Sequence, residues 1–131
     1  MTQFLDLTDF LLIAEAVTGV RAELLARTSR IDLAESALAA PQASFGGVDF
    51  YPDFVDQAAV LCAHLAWNHS LHDGNKRVAW LALREFCRRN GHDVQRTVDD
   101  AVTVMLAVAT HDIDEAGLAA WIRPRLVEIG A

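Results

Sequence analysis

Apolar residues recur every three to four positions along most of the chain, a spacing that predicts amphipathic α-helices. The first helix is predicted from Leu5 to Val17, with Asp6 or Thr8 as its N-cap and Gly19 as its end. A shorter second helix is predicted from Val20 to about Ala26. The first part of the chain is therefore expected to be helical.

A third helix is predicted from an acidic pattern near its start. Asp32 stands three residues before Glu35, which is the spacing of a capping box, so Asp32 is expected to cap a helix that runs to Ala40. Pro41 should end this helix, because proline lacks the backbone N–H that a continuing helix donates. The two carboxylates could instead be catalytic groups, but the pattern favours capping.

One stretch, Ser44 to Tyr51, does not have the helical spacing. Its aromatic and β-branched residues favour extended structure, and Gly46-Gly47 suits a tight turn between two short strands. The stretch therefore predicts a β-hairpin or flap, whose free strand edge could pair with an extended peptide. A loop whose aromatic side chains cover the core is the alternative, and the sequence does not decide between them.

Two apolar helices are predicted on either side of a polar stretch. The first has Pro52 in its opening turn and reaches Asn68, and the second continues from Val78 to a stop at Asn90-Gly91. Two core helices would hold the polar stretch between them rigidly, as a functional site requires.

Two further helices complete the predicted fold. Thr97 and Asp100 form a capping box for a helix through about Ala109, and Asp112 with Glu115 is expected to cap the last helix, which Pro124 interrupts. The pattern shows no repeat and no linker. It predicts one domain over residues 1–131, an all-α bundle of six to eight helices with one short β-hairpin.

Composition and charge narrow the classes of function. The formal net charge of −7 argues against direct binding of nucleic acid. Cys62 and Cys87 lie in apolar segments, so two buried thiols in a reducing compartment are expected. No apolar run is long enough to span a membrane and no export pattern is present, so a cytoplasmic protein without a membrane partner is expected.

The polar stretch between the two core helices runs from His69 to Arg77 and reads His-Ser-Leu-His-Asp-Gly-Asn-Lys-Arg. Gly74 permits a backbone turn that most residues resist, and a helix that began just after it would offer its free N–H groups to an anion. Lys76, which is the only lysine of the chain, and Arg77 would add positive charge. This composition suits a phosphate site.

Two other side chains of the stretch suit catalysis of phosphoryl chemistry. Asp73 offers a hard oxygen ligand for Mg²⁺, and His69 could accept a proton from an attacking hydroxyl. A plain helix-loop-helix junction would also have this polarity, and Arg84, Arg88 and Arg89 on the next helix are expected to form a solvated face rather than a phosphate site. Zinc bound by His64, His69 and His72 is a further, weaker interpretation.

The stretch resembles the signature of the Fic/Doc family, in particular its Doc (death-on-curing) branch. The family pattern is His-x-Phe-x-Asp/Glu-Gly-Asn-Gly/Lys-Arg, often with Pro after the His. This chain has Ser70 where that Pro often stands and Leu71 in place of the Phe. The resemblance implies a helical Fic/Doc-like bundle with a flap that receives the target protein, and ATP and Mg²⁺ as cofactors.

The residue after the motif Asn separates two reactions within this family. Glycine there implies transfer of AMP, whereas lysine, as at Lys76, implies the Doc reaction, in which the γ-phosphate of ATP is transferred to a protein hydroxyl. A lysine side chain also fills the space that a diphosphate would need against the backbone. Trp80 stands where many AMP-transferring relatives carry a further arginine.

The resemblance implies a role for each motif residue. His69 acts as the base and Asp73 holds Mg²⁺. Asn75, with backbone N–H groups near Gly74, orients the transferring phosphate, and Lys76 and Arg77 neutralise its developing charge. The cofactor-binding set is therefore Gly74, Asn75, Lys76 and Arg77.

The resemblance also implies partners. The expected target is elongation factor Tu, whose modification stops translation, and the expected inhibitor is an antitoxin whose disordered tail folds into a groove on the toxin. No internal inhibitory motif of the family is present, so restraint by a separate chain is expected. The alternatives are AMP transfer to a protein hydroxyl and a mainly non-catalytic module that binds the antitoxin and co-represses its operon.

Overall fold

The computed structural model describes residues 1–129, which fold into seven α-helices and two small antiparallel sheets. In chain order the helices are α1 (Leu7–Thr18), α2 (Ala22–Thr28), α3 (Ile31–Ala39), α4 (Phe54–Asn68), α5 (Asn75–Arg89), α6 (Val98–Ala109) and α7 (Glu115–Ile122). The strands are β1 (Ser44–Phe45), β2 (Val48–Asp49), β3 (His92–Val94) and β4 (Leu126–Glu128). The predicted helical fold with one short hairpin is confirmed.

Helix α4 forms the centre of the core. It packs against α3, α5, α6 and α7, and ten of its fifteen residues are buried. Many of these residues are alanines, such as Ala58, Ala59 and Ala63, whose small side chains allow neighbouring helices to approach closely. A helix that is buried on nearly every face is a rigid support for the loop that follows it.

Helix α5 contributes an aromatic layer to this core. Phe86 is fully buried and stacks against Phe4 and Phe54, with ring centroids 5.8 and 5.1 Å apart. Both cysteines are buried and free, as expected, and burial raises the pKa of Cys62 well above its usual value and that of Cys87 to about 12. Neither thiol is therefore a reactive nucleophile.

Several predicted helix ends are confirmed. Asp6 caps α1 in a capping box with Asp9, and Gly19 ends the helix with a φ of 75°. Thr97 and Asp100 form the predicted capping box of α6, and α4 ends at Asn68. The second helix begins two residues later than predicted, at Ala22.

Other predicted caps are wrong. Asp32 lies inside the first turn of α3, where it pairs with Arg30 at 3.1 Å, and the backbone of Arg30 occupies the capping position without a side-chain bond. Asp114, not Asp112, caps α7 and accepts a bond from the Gly117 amide at 2.8 Å, because the chain first turns back on Ala107 through the amide of Asp112.

Prolines also differ from their predicted places. Pro41 does not stop α3 abruptly but lies in a 3₁₀ turn, Ala40–Gln42, that extends it. Pro52 precedes α4 rather than opening it, because Asp53 is the N-cap. Pro124 lies in a second 3₁₀ turn, Arg123–Arg125, that follows α7 and so interrupts the last helix as predicted.

The predicted hairpin is present, and the strands β1 and β2 pair on either side of Gly46-Gly47. Phe45, Val48 and Phe50 are strongly exposed, so the alternative in which these side chains cover the core is wrong. A second sheet was not predicted: β3 and β4 pair antiparallel, with Asp93 opposite Val127. Within the described residues, no helix is long and apolar enough to cross a membrane.

Candidate active site

The motif loop leaves the central helix through an unusual backbone conformation. His69 follows α4 with φ 50° and ψ 48°, a left-handed conformation that glycine or asparagine normally adopts at a helix end. Just before it, the side-chain amide of Asn68 donates to the carbonyl of Leu33 at 3.1 Å. The loop therefore starts from a fixed point between α3 and α4.

Hydrogen bonds to the backbone close the loop. The Asn75 side chain accepts from the Leu71 amide at 3.1 Å and donates to the Leu71 carbonyl at 3.0 Å. The Ser70 carbonyl accepts from the Arg30 amide at 2.8 Å, and the Leu71 side chain is buried as the predicted apolar anchor. Asn75 thus shapes the loop, and one N–H of its amide remains for a ligand.

Gly74 sets the start of α5. Its φ is 84°, and a Cβ at this position would come within 3.1 Å of Val17 on α1, so a larger residue would strain both the backbone and the packing. Among residues 1–129, no side chain caps this fifteen-residue helix. Its first N–H groups therefore face the loop without a capping partner, as an anion-binding helix start requires.

All six residues predicted for the site line one cleft of about 1150 Å³. They are His69, Asp73, Gly74, Asn75, Lys76 and Arg77. The other lining residues come mainly from α1, α2 and α6. The predicted residues are thus brought together, and the cleft is large enough for a nucleotide-sized ligand.

The histidines near the motif have different surroundings. The His72 ring bonds the Thr28 carbonyl at 3.1 Å, and the His64 ring bonds the Glu115 carboxylate at 3.1 Å. The exposed His69 ring makes no hydrogen bond to any residue between 1 and 129. His69 is therefore the histidine that can exchange a proton with a ligand.

The two motif cations are exposed and form no ion pair within the described chain, although several other arginines do. Arg84 pairs with Asp93 at 3.3 Å, and Arg89 pairs with Asp9 at 2.8 Å. Neither of these arginines lines the cleft. Lys76 and Arg77 thus supply uncompensated positive charge at the cleft of an acidic protein.

Asp73 offers one carboxylate at the edge of the cleft. One of its oxygens, Oδ1, accepts from the Gly74 amide at 2.8 Å, and Oδ2 is left for a ligand. No cluster of three histidine, cysteine or carboxylate side chains in residues 1–129 could hold a metal alone, which leaves the zinc interpretation without a site. A single carboxylate fits Mg²⁺ that is bound together with nucleotide phosphates.

The alternative catalytic carboxylates lie elsewhere. Asp32 is exposed and paired with Arg30, Glu35 is exposed on α3, and neither lines the cleft. The sequence analysis did not predict that α2 and α6 line the cleft. The pattern of α6 did indicate a second exposed apolar surface, because Val98, Val102 and Leu106 form an apolar stripe besides the buried one.

Comparison with known proteins identifies the family of the chain. The profile of the Fic/DOC family matches residues 4–87, which include the hairpin, α4, the motif and most of α5. The chain therefore belongs to the Fic/DOC family. It is also 43% identical, over 122 residues, to Toxin Doc of Mycolicibacterium smegmatis, a match that covers 92% of this chain and 91% of that protein.

Proposed function

We propose that the chain is the toxin of a type II toxin–antitoxin pair and transfers the γ-phosphate of ATP to a hydroxyl of a translation protein, with elongation factor Tu as the expected target. Membership of the Fic/DOC family and the similarity to Toxin Doc support the toxin role. The observation that carries the reaction is the cleft. There His69, Lys76, Arg77 and the start of α5 lie together without bonding partners in the described part of the chain.

In the proposed reaction His69 accepts the proton of the attacking hydroxyl. The hydroxyl oxygen forms a bond to the γ-phosphorus while the bond from that phosphorus to the β–γ bridging oxygen breaks, and ADP leaves. Lys76, Arg77 and the first N–H groups of α5 stabilise the charge on the phosphate oxygens. Mg²⁺, when bound with the nucleotide at Asp73, adds positive charge to the same phosphates.

Lys76 favours phosphoryl transfer over AMP transfer. Its side chain occupies the first turn of α5, where a glycine would leave the backbone open to a diphosphate, and its charge suits a terminal phosphate. Trp80, which is one turn further along α5 and also lines the cleft, offers no charge to a second phosphate there.

The β1–β2 hairpin is the proposed dock for the target. Its strands are only two residues long, its outer edges are free within the described chain, and Phe45 and Val48 are 79% and 68% exposed. An extended segment of the target could pair with such an edge. A group of exposed apolar side chains is typical of a surface that binds another protein.

The second apolar stripe of α6 is the proposed dock for the antitoxin tail. Val98, Val102 and Leu106 are at least half exposed, and Leu24 on α2 faces the same cleft. A tail that folds as a helix could place apolar side chains on this stripe and an acidic group near Lys76 and Arg77. Such a tail would cover the catalytic cleft.

The reaction is tested with purified elongation factor Tu and ATP that is labelled at either the α- or the γ-phosphate. We expect label from the γ position only, no label with His69→Ala, and a gain of one phosphoryl group by intact mass. Label from the α position alone would replace the proposal with AMP transfer. Antitoxin binding without any transfer or growth arrest would favour the co-repressor module.

A further inference from the structure

Trp80 is a cleft residue to which the proposed reaction gives no positive role. It lies three residues after Arg77 and four after Lys76, so the three side chains share one face of α5. At 1.5 Å per residue, Trp80 lies about 7.5 Å along the helix from its start at Asn75. A nucleotide whose phosphates bind the start of α5 can reach this indole with its base.

Neighbouring side chains hold the Trp80 indole in place. Trp121 of α7 contacts Trp80 edge to face, with ring centroids 6.1 Å apart and planes at 73°. The Arg125 guanidinium lies 4.3 Å from the centroid of Trp121 and donates to the Trp121 carbonyl at 2.9 Å. This support restricts Trp80 before any ligand binds, and a fixed aromatic ring loses little freedom on stacking.

The α6 side chains that line the cleft together with Trp80 are apolar. They are Ala101, Val102, Met105 and Leu106, and none of them carries a side chain that reads the hydrogen-bonding edge of a base. The polar residues of the cleft belong to the motif or are Thr18 and Thr28. The part of the cleft that Trp80 and α6 line therefore suits the flat face of a base.

We propose that Trp80 forms the base-binding wall of the nucleotide site and stacks on the face of a purine that is enclosed on its other side by α6. The inference rests on the proposed nucleotide reaction and adds a substrate property to it. Because stacking does not distinguish one purine from another, ATP and GTP should bind with affinities within about three-fold of each other.

The test measures binding of three probes, ATP, GTP and inorganic tripolyphosphate, each with Mg²⁺, by calorimetry. We expect Trp80→Ala to weaken ATP and GTP by about ten-fold or more and to leave tripolyphosphate unchanged, because only the base contacts the indole. Trp80→Phe, which keeps an aromatic ring, should retain most of the affinity. Leu12→Ala, which truncates an exposed apolar side chain on α1 outside this cleft, is the control.

The outcomes separate this inference from the proposed function. Unchanged ATP affinity in both Trp80 variants, or an equal loss for tripolyphosphate, would overturn the base wall and leave the reaction standing. A strong preference of the wild type for ATP over GTP would overturn recognition by stacking. Failure of the wild-type protein to bind either ATP or tripolyphosphate would overturn the nucleotide reaction and the base wall together.

Discussion

At the scale of single residues, the proposed role of His69 and its backbone conformation favour different amino acids. The side chain is free to exchange a proton, while the backbone is left-handed at φ 50°, where a Cβ is unfavourable. Histidine tolerates this conformation better than bulky residues but less well than glycine. The chain thus keeps a strained residue where a helix would more stably end in glycine, which is the pattern expected of a functional position.

This conflict predicts opposite effects on stability and function. His69→Gly should raise the free energy of unfolding by about 1 kcal/mol, because it removes the left-handed strain. His69→Ala should not raise it, since alanine retains a Cβ. Both variants should lose transfer and growth arrest. Urea denaturation and the labelled-ATP assay check the two parts, and full activity of the folded glycine variant would remove His69 as the base.

The motif residues could be predicted from sequence because they are contiguous and each carries a distinct chemistry. The hydrogen bonds around these residues could not be predicted from the sequence. The sequence predicts that Asn75 orients the phosphate, and in the structure its side chain also holds the Leu71 backbone from both sides, a contact that depends on how tightly the loop closes. The contact of Trp80 with Trp121 could not be predicted, because it comes from a helix distant in sequence.

At the scale of helices and strands, α6 differs from an ordinary surface helix because two of its faces are apolar. One face, with Val104, Met105 and Val108, is buried, and the other, with Val98, Val102 and Leu106, is exposed. A helix that only covered a core would need the first face alone. The exposed face is the proposed binding surface for the antitoxin tail.

Val98→Asp tests this face with little risk to the fold. Val98 is 80% exposed and opens α6, where an acidic residue interacts favourably with the helix dipole. We expect unchanged or slightly higher stability. We expect weaker binding of the proposed antitoxin, measured by co-purification and by rescue of growth. Leu12→Asp, on an exposed face of α1, should bind normally. Equal binding by both variants would place the antitoxin elsewhere.

A salt bridge between side chains joins α1 to α5. Arg89 donates to both carboxylate oxygens of Asp9, at 2.8 and 2.9 Å. These bonds hold the pKa of Asp9 below its usual value. Because the folded-state pKa is lower than the unfolded one, the contribution of Asp9 to stability is complete above the ordinary carboxyl pKa of about 4 and is lost as the pH falls through the folded-state value.

Asp9→Asn should therefore lower the free energy of unfolding by about 1 kcal/mol near neutral pH, and the difference should disappear in strong acid. Urea denaturation across this pH range measures both. Asp32→Asn is the matched control, because its partner Arg30 is two residues away and both side chains are 67% exposed, so little effect is expected. A difference that persisted unchanged in acid would show that the ion pair is not its cause.

At the scale of the whole molecule, the sequence predicted the number and order of the helices because their apolar periodicity is strong. It missed the β3–β4 sheet, because three-residue strands carry too little pattern to separate from turns and because the strands are distant in the chain. The cleft could not be predicted from the sequence either, because α1, α2 and α6 approach the motif only through tertiary packing. The motif residues could be proposed for a site from the sequence, whereas the residues of α1, α2 and α6 that line the same cleft could not.

Because so many elements meet at the cleft, a bound nucleotide should stabilise the entire fold. A ligand that binds only the native state at a hundred times its Kd adds about 2.7 kcal/mol to the free energy of unfolding, so ATP with Mg²⁺ should raise the melting temperature. Asp73→Asn keeps an oxygen that can accept from the Gly74 amide but removes the charge that Mg²⁺ requires. The variant should therefore melt like the wild type without ligand and with ATP in a chelator, and should lose most of the additional rise that Mg²⁺ gives to the wild type. Thermal denaturation under these conditions measures each step. An undiminished response to Mg²⁺ in the variant would mean that a carboxylate other than Asp73 holds the ion.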